Sequence, residues 1–437
     1  MAPKVSVIMP SLNVASYIQE CILSVINQSL SNIEILCIDA GSTDGTLEIL
    51  REYQKSDSRV NVFVSDVKSY GAQVNLGIKI AKGEYISIIE TDDFIETEML
   101  EILSKLADKY QVDYVKADYD SFCVLRNGEK NYERNHIFKN HLELYNKVIE
   151  PTYINDLYVY DYNLWKGIYR TSFLQEKNIL LNESSGAAYQ DIGFTEMVLA
   201  KAKKAYYSDA SFYRYRLCRM GSSCSSMRGL KYSFEEFSRL LRLHSEKNFI
   251  LNMNGFFLHM ATSYVGELIA YWENTMHCVQ DEELVKCCQW FQDVIERQIN
   301  NQVLIFNDIP KDLYNKLNKA IYHPNTFFNE IAEKKANREQ ICKRQLSKSN
   351  IVIFGAGKAG RRVRVELDGL SSEIIAFADN RLKGKMLLGT PIYGLSDCIS
   401  KYPDANYIIA SYSHMDDMYE EYLCAGGRPD NCIRDWL

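Results

Sequence analysis

The sequence predicts an α/β protein with a doubly wound sheet, a helical middle region and a second, small α/β domain. In residues 1 to about 122, strand-like runs such as VSVIMP and IEILCIDA alternate with helix-like runs such as SYIQECILSVINQ. Residues 228–345 show long helical periodicity, and a new strand, glycine loop and helix begin in KSNIVIFGAGKAG. Alternating strands and helices indicate parallel strands joined by crossover helices, with both sheet faces covered.

Length and composition bound the class of protein. A chain of 437 residues is too long for one ordinary core, and we predict domains at 1–227, 228–345 and 346–437. The formal charge of −7 argues against a nucleic-acid partner, which usually selects a basic face. The longest apolar stretch, GFFLHMATSYVGELIAY, is interrupted by His259 and Glu267, which favours a buried helix over a membrane span.

The cysteines and the start of the chain indicate a compartment. Twelve cysteines are scattered without a C-x-x-C pair, and MAPKVSVIMPSLN lacks the apolar core of a signal peptide. We therefore expect reduced core thiols and a cytoplasmic protein. Transient association with the inner face of the membrane and formation of a homo-oligomer are both left open.

Four segments should meet at one edge of the first sheet. Ligands of parallel α/β sheets bind beyond the carboxyl ends of the strands. This rule brings together Pro10–Asn13, Asp39–Gly45, Asp66–Gly71 and Glu90–Asp93. Asp39 would lie at a strand end, where its carboxylate can accept hydrogen bonds from a base or a ribose.

The acids of YISIIETDDF, residues 85–94, have three interpretations. Glu90, Asp92 and Asp93 could cap a helix that starts near Glu96, because the helix dipole favours them there. They could be solvated loop acids. They could also hold Mg²⁺ or Mn²⁺, which proteins usually bind through one or two carboxylates together with substrate oxygens.

The ordered set PSLN, SYIQECILSVINQS, EILCIDAGSTDGT, YGAQVNLGIKIAKGEYI and ETDD resembles the family 2 nucleotide-sugar glycosyltransferases, whose fold is called GT-A. The resemblance covers the first 94 residues almost continuously. It implies a nucleotide-sugar donor, with UDP ahead of GDP and dTDP, and Mn²⁺ or Mg²⁺ bound by Asp92 with Glu90 and Asp93 in support. It also implies contacts to the donor nucleotide from Ser11, Asn13, Asp39, Lys68 and Thr91.

The resemblance continues more weakly into an acceptor half. LWKGIYRTSFLQEKNILLNE and AYQDIGFTEMVLAKA resemble the family's acceptor segment, which implies Asp191 as catalytic base; the alternative is that Asp191 caps a helix. FYRYRLCRMGSSCSS resembles the family segment that closes over the diphosphate. The candidates there are Arg214, Arg216, Arg219 and Ser222, and the alternative is that the arginines are surface cations. One carboxylate base without a second nucleophile implies a single displacement that inverts the anomeric centre.

Three positions depart from the family pattern. Glu90 replaces the first acid of its D-x-D motif, and Ala40 replaces the second acid of its D-D-G-S motif. Gln190 precedes Asp191 where the family often has an acid. The second change leaves Asp39 to recognise base or ribose alone, which makes the identity of the nucleotide harder to predict.

The C-terminal segment carries the fingerprint of a dinucleotide-binding loop. Gly355, Gly357 and Gly360 follow a strand and precede a helix, and Asp379 ends the next strand. The segment could serve an NAD-dependent oxidoreductase, although residues 346–437 contain no Tyr-x-x-x-Lys pair. It also resembles the small nucleotide-sugar-binding domain of bacterial sugar acyltransferases. A structural or oligomerising domain with an empty loop is the third alternative.

The expected acceptor is a hydroxyl of a glycan or lipid-linked saccharide, in the synthesis of a surface polysaccharide, from the family resemblance alone. An inactive transferase scaffold is the alternative, against which Asp92 and Asp191 count. The aromatic residues of the helical middle, such as Phe256, Phe257 and Tyr264, are expected in the core or at a domain interface rather than at an acceptor platform.

Overall fold

The computed structural model describes residues 2–124, 130–138, 141–217, 229–246, 252–275, 282–304, 311–341, 346, 350–367, 373–411, 415–434 and 436. The chain divides into two compact units, Met1–Tyr322 and His323–Leu437. The helices from Gly229 to Tyr322 therefore lie in the same unit as the first sheet, and the three-domain division stays a prediction.

The first unit alternates strands and helices in its N-terminal part, as predicted. Its elements up to the sixth strand are β1 (Val5–Ser11), α1 (Ala15–Ile26), β2 (Ile33–Asp39), α2 (Thr46–Ser56), β3 (Val60–Val64), α3 (Tyr70–Ile80), β4 (Tyr85–Ile88), β5 (Phe94–Ile95), α4 (Met99–Tyr110) and β6 (Tyr114–Val124). The remaining elements are β7 (Lys130–Asn135), β8 (Val148–Ile149), α5 (Asn155–Tyr160), β9 (Gly167–Arg170), α6 (Thr171–Glu176), α7 (Gln190–Lys201), β10 (Ala205–Arg216), α8 (Gly229–Ser245), α9 (Met253–Thr275), α10 (Glu282–Asn300) and α11 (Lys311–Tyr322).

One mixed sheet organises this unit. Its strand order is β3-β2-β1-β4-β9-β6-β10-β5, with β7 beside β6 and β8 beside β10. Strands β1 to β4 are mutually parallel, whereas β9 runs antiparallel to both β4 and β6. Every residue of β1 and β2 is buried. Helices cover both faces of the sheet, so apolar and polar residues do not alternate along these strands. Ser11 pairs with Asp39 at the carboxyl ends of β1 and β2, so the loops that follow are adjacent.

Helices α8 to α11 pack on the part of this unit that contains α5 and α7. Helices α8 and α9 contact α7 and α5, and α10 and α11 contact α9. Phe237, Phe256 and Phe291 pack edge to face between these helices, and Phe257 and Tyr264 are buried beside them. This confirms that the aromatic residues of α9 named above belong to a core. Among the described residues, no helix is both long enough and apolar enough to cross a membrane.

The second unit contains a smaller, mostly parallel sheet. Its elements are α12 (Pro324–Ile341), β11 (Asn350–Phe354), α13 (Lys358–Leu367), β12 (Glu373–Ala378), β13 (Met386–Leu387), β14 (Thr390–Tyr393), α14 (Leu395–Lys401), β15 (Asn406–Ile409), α15 (Met415–Cys424) and β16 (Cys432–Ile433). The strand order is β13-β14-β12-β11-β15-β16, and only β13 pairs antiparallel among these strands. The glycine loop follows β11, where the strand order reverses direction, which is the usual ligand position in such sheets.

Candidate functional site

Asp39 organises the loop between β2 and α2. Its side chain is fully buried and accepts four hydrogen bonds. The donors are the backbone N–H groups of Gly41 (2.9 Å) and Ser42 (2.8 Å) and the hydroxyls of Ser11 (3.0 Å) and Ser42 (2.6 Å). Four bonds fill the acceptor sites of a carboxylate. Asp39 and Ser11 therefore shape the loop directly, and their contact with a nucleotide stays a prediction.

The loops after β1 and β2 brace each other. Asn13, which is exposed, adopts a left-handed backbone conformation with φ of 53°, where Asn is tolerated better than most residues. Its Oδ1 accepts a hydrogen bond from the N–H of Thr43 at 2.9 Å, and its own N–H donates to Ser42 Oγ at 2.8 Å. Asp44 accepts the N–H of Ala15, the first residue of α1, at 3.0 Å. These bonds join the two loops into one surface.

Three acids crowd together at the carboxyl end of β4. Carboxylate oxygens of Glu90, Asp92 and Asp93 all lie within 4.8 Å of one another. Asp93 is buried, accepting hydrogen bonds from the Tyr213 hydroxyl (2.8 Å) and the Arg216 N–H (2.7 Å). Burial, then the charges of Asp92 and Glu90, raise the pKa of Asp93 well above its usual range. A donor set made only of clustered carboxylate oxygens is consistent with a divalent cation.

The helix-capping interpretation of these acids is wrong. Helix α4 begins at Met99, and Glu98 is its N-cap without a capping bond from its side chain. Thr91 is also buried, and its hydroxyl donates to the carbonyl of Pro10 at 2.8 Å. Thr91 therefore ties the acidic turn to the end of β1, and its predicted contact with a donor nucleotide is untested.

The arginines at the end of β10 are fixed by ion pairs. Arg216 contacts Glu20 (2.6 Å), and its Nε donates to the carbonyl of Asp92 at 2.7 Å. Arg214 contacts Glu96 (2.9 Å) and Asp120 (3.1 Å). The interpretation of these two as solvated surface cations is wrong, because both are mostly buried. Arg216 supports the turn that carries Asp92. The other candidates, Arg219 and Ser222, lie outside the described residues.

Asp191 lies in the first turn of α7. The helix begins at Gln190, and the N-cap residue is Tyr189 with φ of 66°, so Asp191 is not the capping residue. Its Oδ1 accepts the N–H of Ile192 at 3.1 Å, and the helix dipole favours its negative charge there. Burial raises the pKa of Asp191 to about 6. Such a carboxylate is ionised at neutral pH and still holds a proton better than an ordinary Asp, as suits a general base.

Tyr70 connects Asp191 with the acidic cluster. Its hydroxyl lies 3.3 Å from Glu90 Oε1. Burial, then the charges of Glu90 and Asp191, raise the pKa of Tyr70 well above its usual range. The N–H of the next residue, Gly71, donates to Gln190, the neighbour of Asp191, at 3.2 Å. Beside Tyr70, the carbonyl of Lys68 accepts the N–H of Gly186 at 3.0 Å, and the Lys68 side chain is exposed. The structure thus brings the predicted metal ligands and the predicted base into one site.

Gln190 joins the two halves of this site. Its Nε2 donates to the carbonyl (2.7 Å) and hydroxyl (2.8 Å) of Ser184, and its Oε1 accepts the N–H of Gly71 at 3.2 Å. An ionised acid could not donate to a carbonyl. This explains why glutamine suits the position. The contact is close: a Cβ on Gly71 would lie 1.9 Å from the carbonyl oxygen of Asn182.

A buried charge cluster near Asp191 was missed from the sequence. Lys116 and Lys166, both fully buried, each place Nζ 2.9 Å from a different oxygen of Asp161. Tyr207 donates to Asp161 at 2.6 Å. Burial lowers the pKa of Lys116 to about 8, although the negative charges of Asp161 and Asp191 act to raise it. Two lysines thus share one carboxylate in this cluster. The sequence did contain one indication of this buried cluster: a lysine, Lys116, inside the strand-like run VDYVKADYDSF.

The helical middle region also contacts α7 through polar groups. His259 Nδ1 lies 2.7 Å from Glu196 Oε1, and both side chains are buried. Glu236 accepts a hydrogen bond from Asn182 at 2.8 Å, and burial raises the pKa of Glu236 to about 7. A Cβ on Gly193 would lie 2.2 Å from Glu236 Oε2, so glycine lets this carboxylate come close to α7 without shifting. Helices α8 and α9 therefore help to position the helix that carries Asp191.

The C-terminal glycine loop has a tight geometry. Gly355 has φ of 108°, and a Cβ on Gly360 would lie 1.9 Å from the carbonyl oxygen of Gly355. A Cβ on Gly357 would meet open space. Asp379 Oδ2 accepts the N–H of Ala356 at 3.1 Å, so this acid holds the loop itself. Its contact with a ribose, and binding of NAD or another nucleotide by this loop, stay predictions.

The N-terminal part of the chain is similar to known glycosyltransferases. Residues 6–165 match the model of glycosyl transferase family 2. The uncharacterized glycosyltransferase EpsJ of Bacillus subtilis is 29% identical over 216 residues, which is 49% of this chain and 62% of EpsJ. Glycosyltransferase GlyG of Streptococcus pneumoniae is 37% identical over 123 residues, 28% of this chain and 41% of GlyG. The chain thus spans less than two thirds of the length of these relatives.

A longer match and solved structures agree with this assignment. The cholesterol galactosyltransferase of Borreliella burgdorferi is 29% identical over 250 residues, 55% of this chain and 68% of that protein. The crystal structure of S. aureus TarS 1-349 in complex with UDP-GlcNAc has a TM-score of 0.54 at 18% identity, covering 77% of this chain and 91% of that one. The chain therefore has the predicted GT-A α/β fold, and its residues 6–165 match the glycosyl transferase family 2 model. The resemblance of residues 346–437 to sugar acyltransferases stays a prediction.

Proposed function

We propose that this chain is an inverting glycosyltransferase that moves a sugar from a UDP-sugar donor to a hydroxyl of a glycan or lipid-linked acceptor in surface polysaccharide synthesis. The observation that carries the proposal is that Tyr70 contacts Glu90 of the acidic cluster while its neighbour Gly71 bonds Gln190, the residue before Asp191. The UDP-GlcNAc complex of TarS and the family 2 match support a UDP-sugar as donor.

The acidic cluster serves the donor. Asp92 and Glu90 would hold Mn²⁺ or Mg²⁺, which supplies positive charge to the diphosphate as it leaves. Both oxygens of Asp93 already accept bonds from Tyr213 and Arg216, so Asp93 acts in support. The loops that contain Ser11, Asn13, Asp39 and Lys68, together with Thr91 and Arg216, form the nucleotide side of this site.

Asp191 serves the acceptor. The acceptor oxygen attacks the anomeric carbon, the bond from that carbon to the diphosphate oxygen breaks, and the acceptor proton passes to the Asp191 carboxylate. The nucleoside diphosphate leaves with the electron pair of the broken bond. One displacement inverts the anomeric centre, and no second nucleophile is required.

The decisive experiment is calorimetric binding of UDP, GDP, dTDP and NAD⁺ to the whole chain, with and without Mn²⁺. We expect UDP to bind only with Mn²⁺, and Asp92→Ala to weaken that binding at least about tenfold. Asp191→Asn is the matched control and should bind UDP like the wild type. Tight NAD⁺ binding that ignores Mn²⁺ and Asp92, without binding of any nucleoside diphosphate, would overturn the proposal.

The second unit supports a separate, smaller proposal. We infer that its glycine loop binds a nucleotide, either NAD or a nucleotide-sugar, because Gly355 with φ of 108° and the close approach of Gly360 to the Gly355 carbonyl give the loop between β11 and α13 the tight turn of a dinucleotide-binding fingerprint. Gly357→Glu should abolish that binding and leave UDP binding with Mn²⁺ unchanged. If neither NAD⁺ nor a nucleotide-sugar binds in a manner sensitive to Gly357→Glu, the unit is structural.

A further inference from the structure

Helix α3 carries two buried amide side chains, Gln73 and Asn75, to which the proposed function gives no role. Gly71 and Asn75 are four residues apart and therefore lie on the same face of the helix. Gln73 lies two residues from each of them, which places it on the opposite side. Helix α3 can therefore contact two parts of the unit at once.

Gln73 holds the carboxyl ends of β1 and β2. Its Nε2 donates to the carbonyl of Ser11 at 2.8 Å and to the carbonyl of Ile38. Both N–H groups of the amide are thus used, and the side chain is buried. The loops after β1 and β2, which form part of the nucleotide side, begin next to these carbonyls. A displacement of α3 would therefore break bonds at the base of both loops.

Asn75 holds the chain segment 181–183 on the other side of the helix. Its Oδ1 accepts the N–H of Leu181 at 2.9 Å. Its Nδ2 donates to the carbonyl of Leu181 at 3.0 Å and to Glu183 Oε1 at 2.9 Å. These bonds use both N–H groups of the amide and its oxygen. Asn75 therefore fixes the segment to α3 through the main chain and through a side chain.

The same segment leads into the helix that carries the predicted base. A Cβ on Gly71 would lie 1.9 Å from the carbonyl oxygen of Asn182, so α3 and the segment are also in direct contact there. Two residues further on, the carbonyl and the hydroxyl of Ser184 both accept from Gln190 Nε2. Gln190 precedes Asp191 at the start of α7. Hydrogen bonds and short stretches of chain therefore connect the strand ends, α3 and the first turn of α7.

Building on the proposed function, we propose that Gln73 and Asn75 are positioning residues through which the bound nucleotide holds the segment 181–184, and with it Asp191, in place. Opening of the segment pulls on α3 through Asn75, and displacement of α3 breaks the bonds of Gln73 at both loops. A ligand stabilises the conformations in which its site is intact, so the nucleotide opposes this opening. The donor thus fixes the base before an acceptor binds.

The test measures hydrogen exchange of the Leu181 amide, by mass spectrometry of overlapping peptides, on the whole chain in Mn²⁺ with and without UDP. UDP is added at about one hundred times the Kd that calorimetry gives for the same sample, which limits the slowing to about a hundredfold. We expect UDP to slow this exchange at least about tenfold in the wild type. The ratio of the two rates is the measured quantity, because a purely structural defect accelerates exchange with and without UDP alike.

Two substitutions interrupt the connection at different ends. Gln73→Met removes the bonds to the strand ends. Asn75→Asp keeps an acceptor for the segment but loses both donated bonds and places a second negative charge against Glu183. In each variant the ratio should fall below about twofold. Combining Asn75→Asp with Glu183→Gln restores a donor opposite the new carboxylate, and the ratio should recover to at least about fivefold.

Two further variants control for folding and for the change of charge. Asn61→Asp on β3 makes the same chemical change at a side chain that bonds to the carbonyl of Arg59, and it should keep the wild-type ratio. Glu183→Ala removes one bond of Asn75 from an exposed position, so the core is not altered. Its ratio should lie between those of the wild type and Asn75→Asp.

The outcomes separate this role from the proposed function. A ratio near one in the wild type with UDP bound would overturn the positioning role and leave the donor site intact. A wild-type ratio in either Gln73→Met or Asn75→Asp would do the same, because the backbone bonds of Gly186 to Lys68 and Tyr70 would then suffice. A double variant no better than Asn75→Asp would also overturn it. Failure of UDP to bind the wild type would instead overturn the donor site, and the positioning role with it.

Discussion

Replacing Gln190 by glutamate tests whether this side chain joins the two halves of the site. The amide donates to Ser184 and accepts from Gly71, and the side chain is 1% exposed, so water cannot replace these bonds. A protonated glutamate can reproduce one donated bond and the accepted bond. An ionised glutamate can reproduce only the acceptor, and it places a second negative charge beside Asp191.

The sign and size of the effect follow from this difference. Burial and Asp191 should raise the pKa of the new carboxyl in the folded protein above its usual value of about 4.3. The folded state then binds more protons than the unfolded state, so the free energy of unfolding of Gln190→Glu falls as pH rises through this window. A shift of two units corresponds to about 3 kcal/mol, similar to leaving one or two buried acceptors unpaired.

The assay compares urea unfolding of the wild type, Gln190→Glu and Gln190→Met at pH 5 and pH 8, with Trp165 among the fluorescence reporters. The methionine variant removes the same bonds without a charge, so its loss should be equal at both pH values. The glutamate variant should lose about 2 kcal/mol more at pH 8 than at pH 5, because the unfolded carboxyl is already mostly ionised at pH 5 and only part of the shift falls in this window. Equal losses for the two variants at both pH values would refute the reasoning.

Four further outcomes are expected. Asp191→Asn should lower kcat of glycosyl transfer by about 10²–10⁴ with unchanged UDP binding; wild-type turnover would exclude Asp191 as the base. Since the base must be ionised, kcat/KM should fall about tenfold per pH unit below about 6, and a flat profile from pH 4 to 8 would contradict this role. Gly71→Ala should lower the melting temperature, because its Cβ meets the Asn182 carbonyl, whereas Gly266→Ala, which meets open space, should not; equal melting temperatures would argue against the close contact. Chelation by EDTA should abolish transfer, and Asp92→Asn should raise the Mn²⁺ concentration for half-maximal rate at least about tenfold; transfer in EDTA would remove the metal from the mechanism.

The sheet edge was predictable because it follows from local patterns. Buried strands such as IEILCID show as apolar runs, and the rule for parallel sheets brings their carboxyl ends together. The structure accordingly places Glu90, Asp92 and Asp93 in one cluster. These patterns do not show which donor groups bond to the carboxylate oxygens at that edge. Asp39, predicted as a nucleotide ligand, already accepts four hydrogen bonds from its own neighbourhood.

The environment of Asp191 was not predictable, because its partners are distant in sequence. Lys116 and Asp161 are 45 residues apart, and Glu196 and His259 are 63 apart. Such pairs depend on how β6, β9 and the helices α7 and α9 pack, which a single sequence does not encode as a local pattern. The packing of the helical middle region was not predictable for the same reason. The spacing of its apolar residues indicates helices but does not indicate which surface these helices cover.

The bracing between the loops after β1 and β2 has a consequence for how such a chain can diversify. The Asn13–Thr43 and Asp44–Ala15 bonds lie within residues 13–44 and join the two loops without any side chain of α7. Gly186 adds backbone bonds to Lys68 and Tyr70, and its φ of 92° favours glycine, so this position belongs with those to be kept. Under the proposed function, substitutions at other exposed positions of the acceptor side should accumulate while nucleotide binding is preserved. Libraries built on this scaffold should vary the acceptor side and keep Gln190 and Gly71 constant.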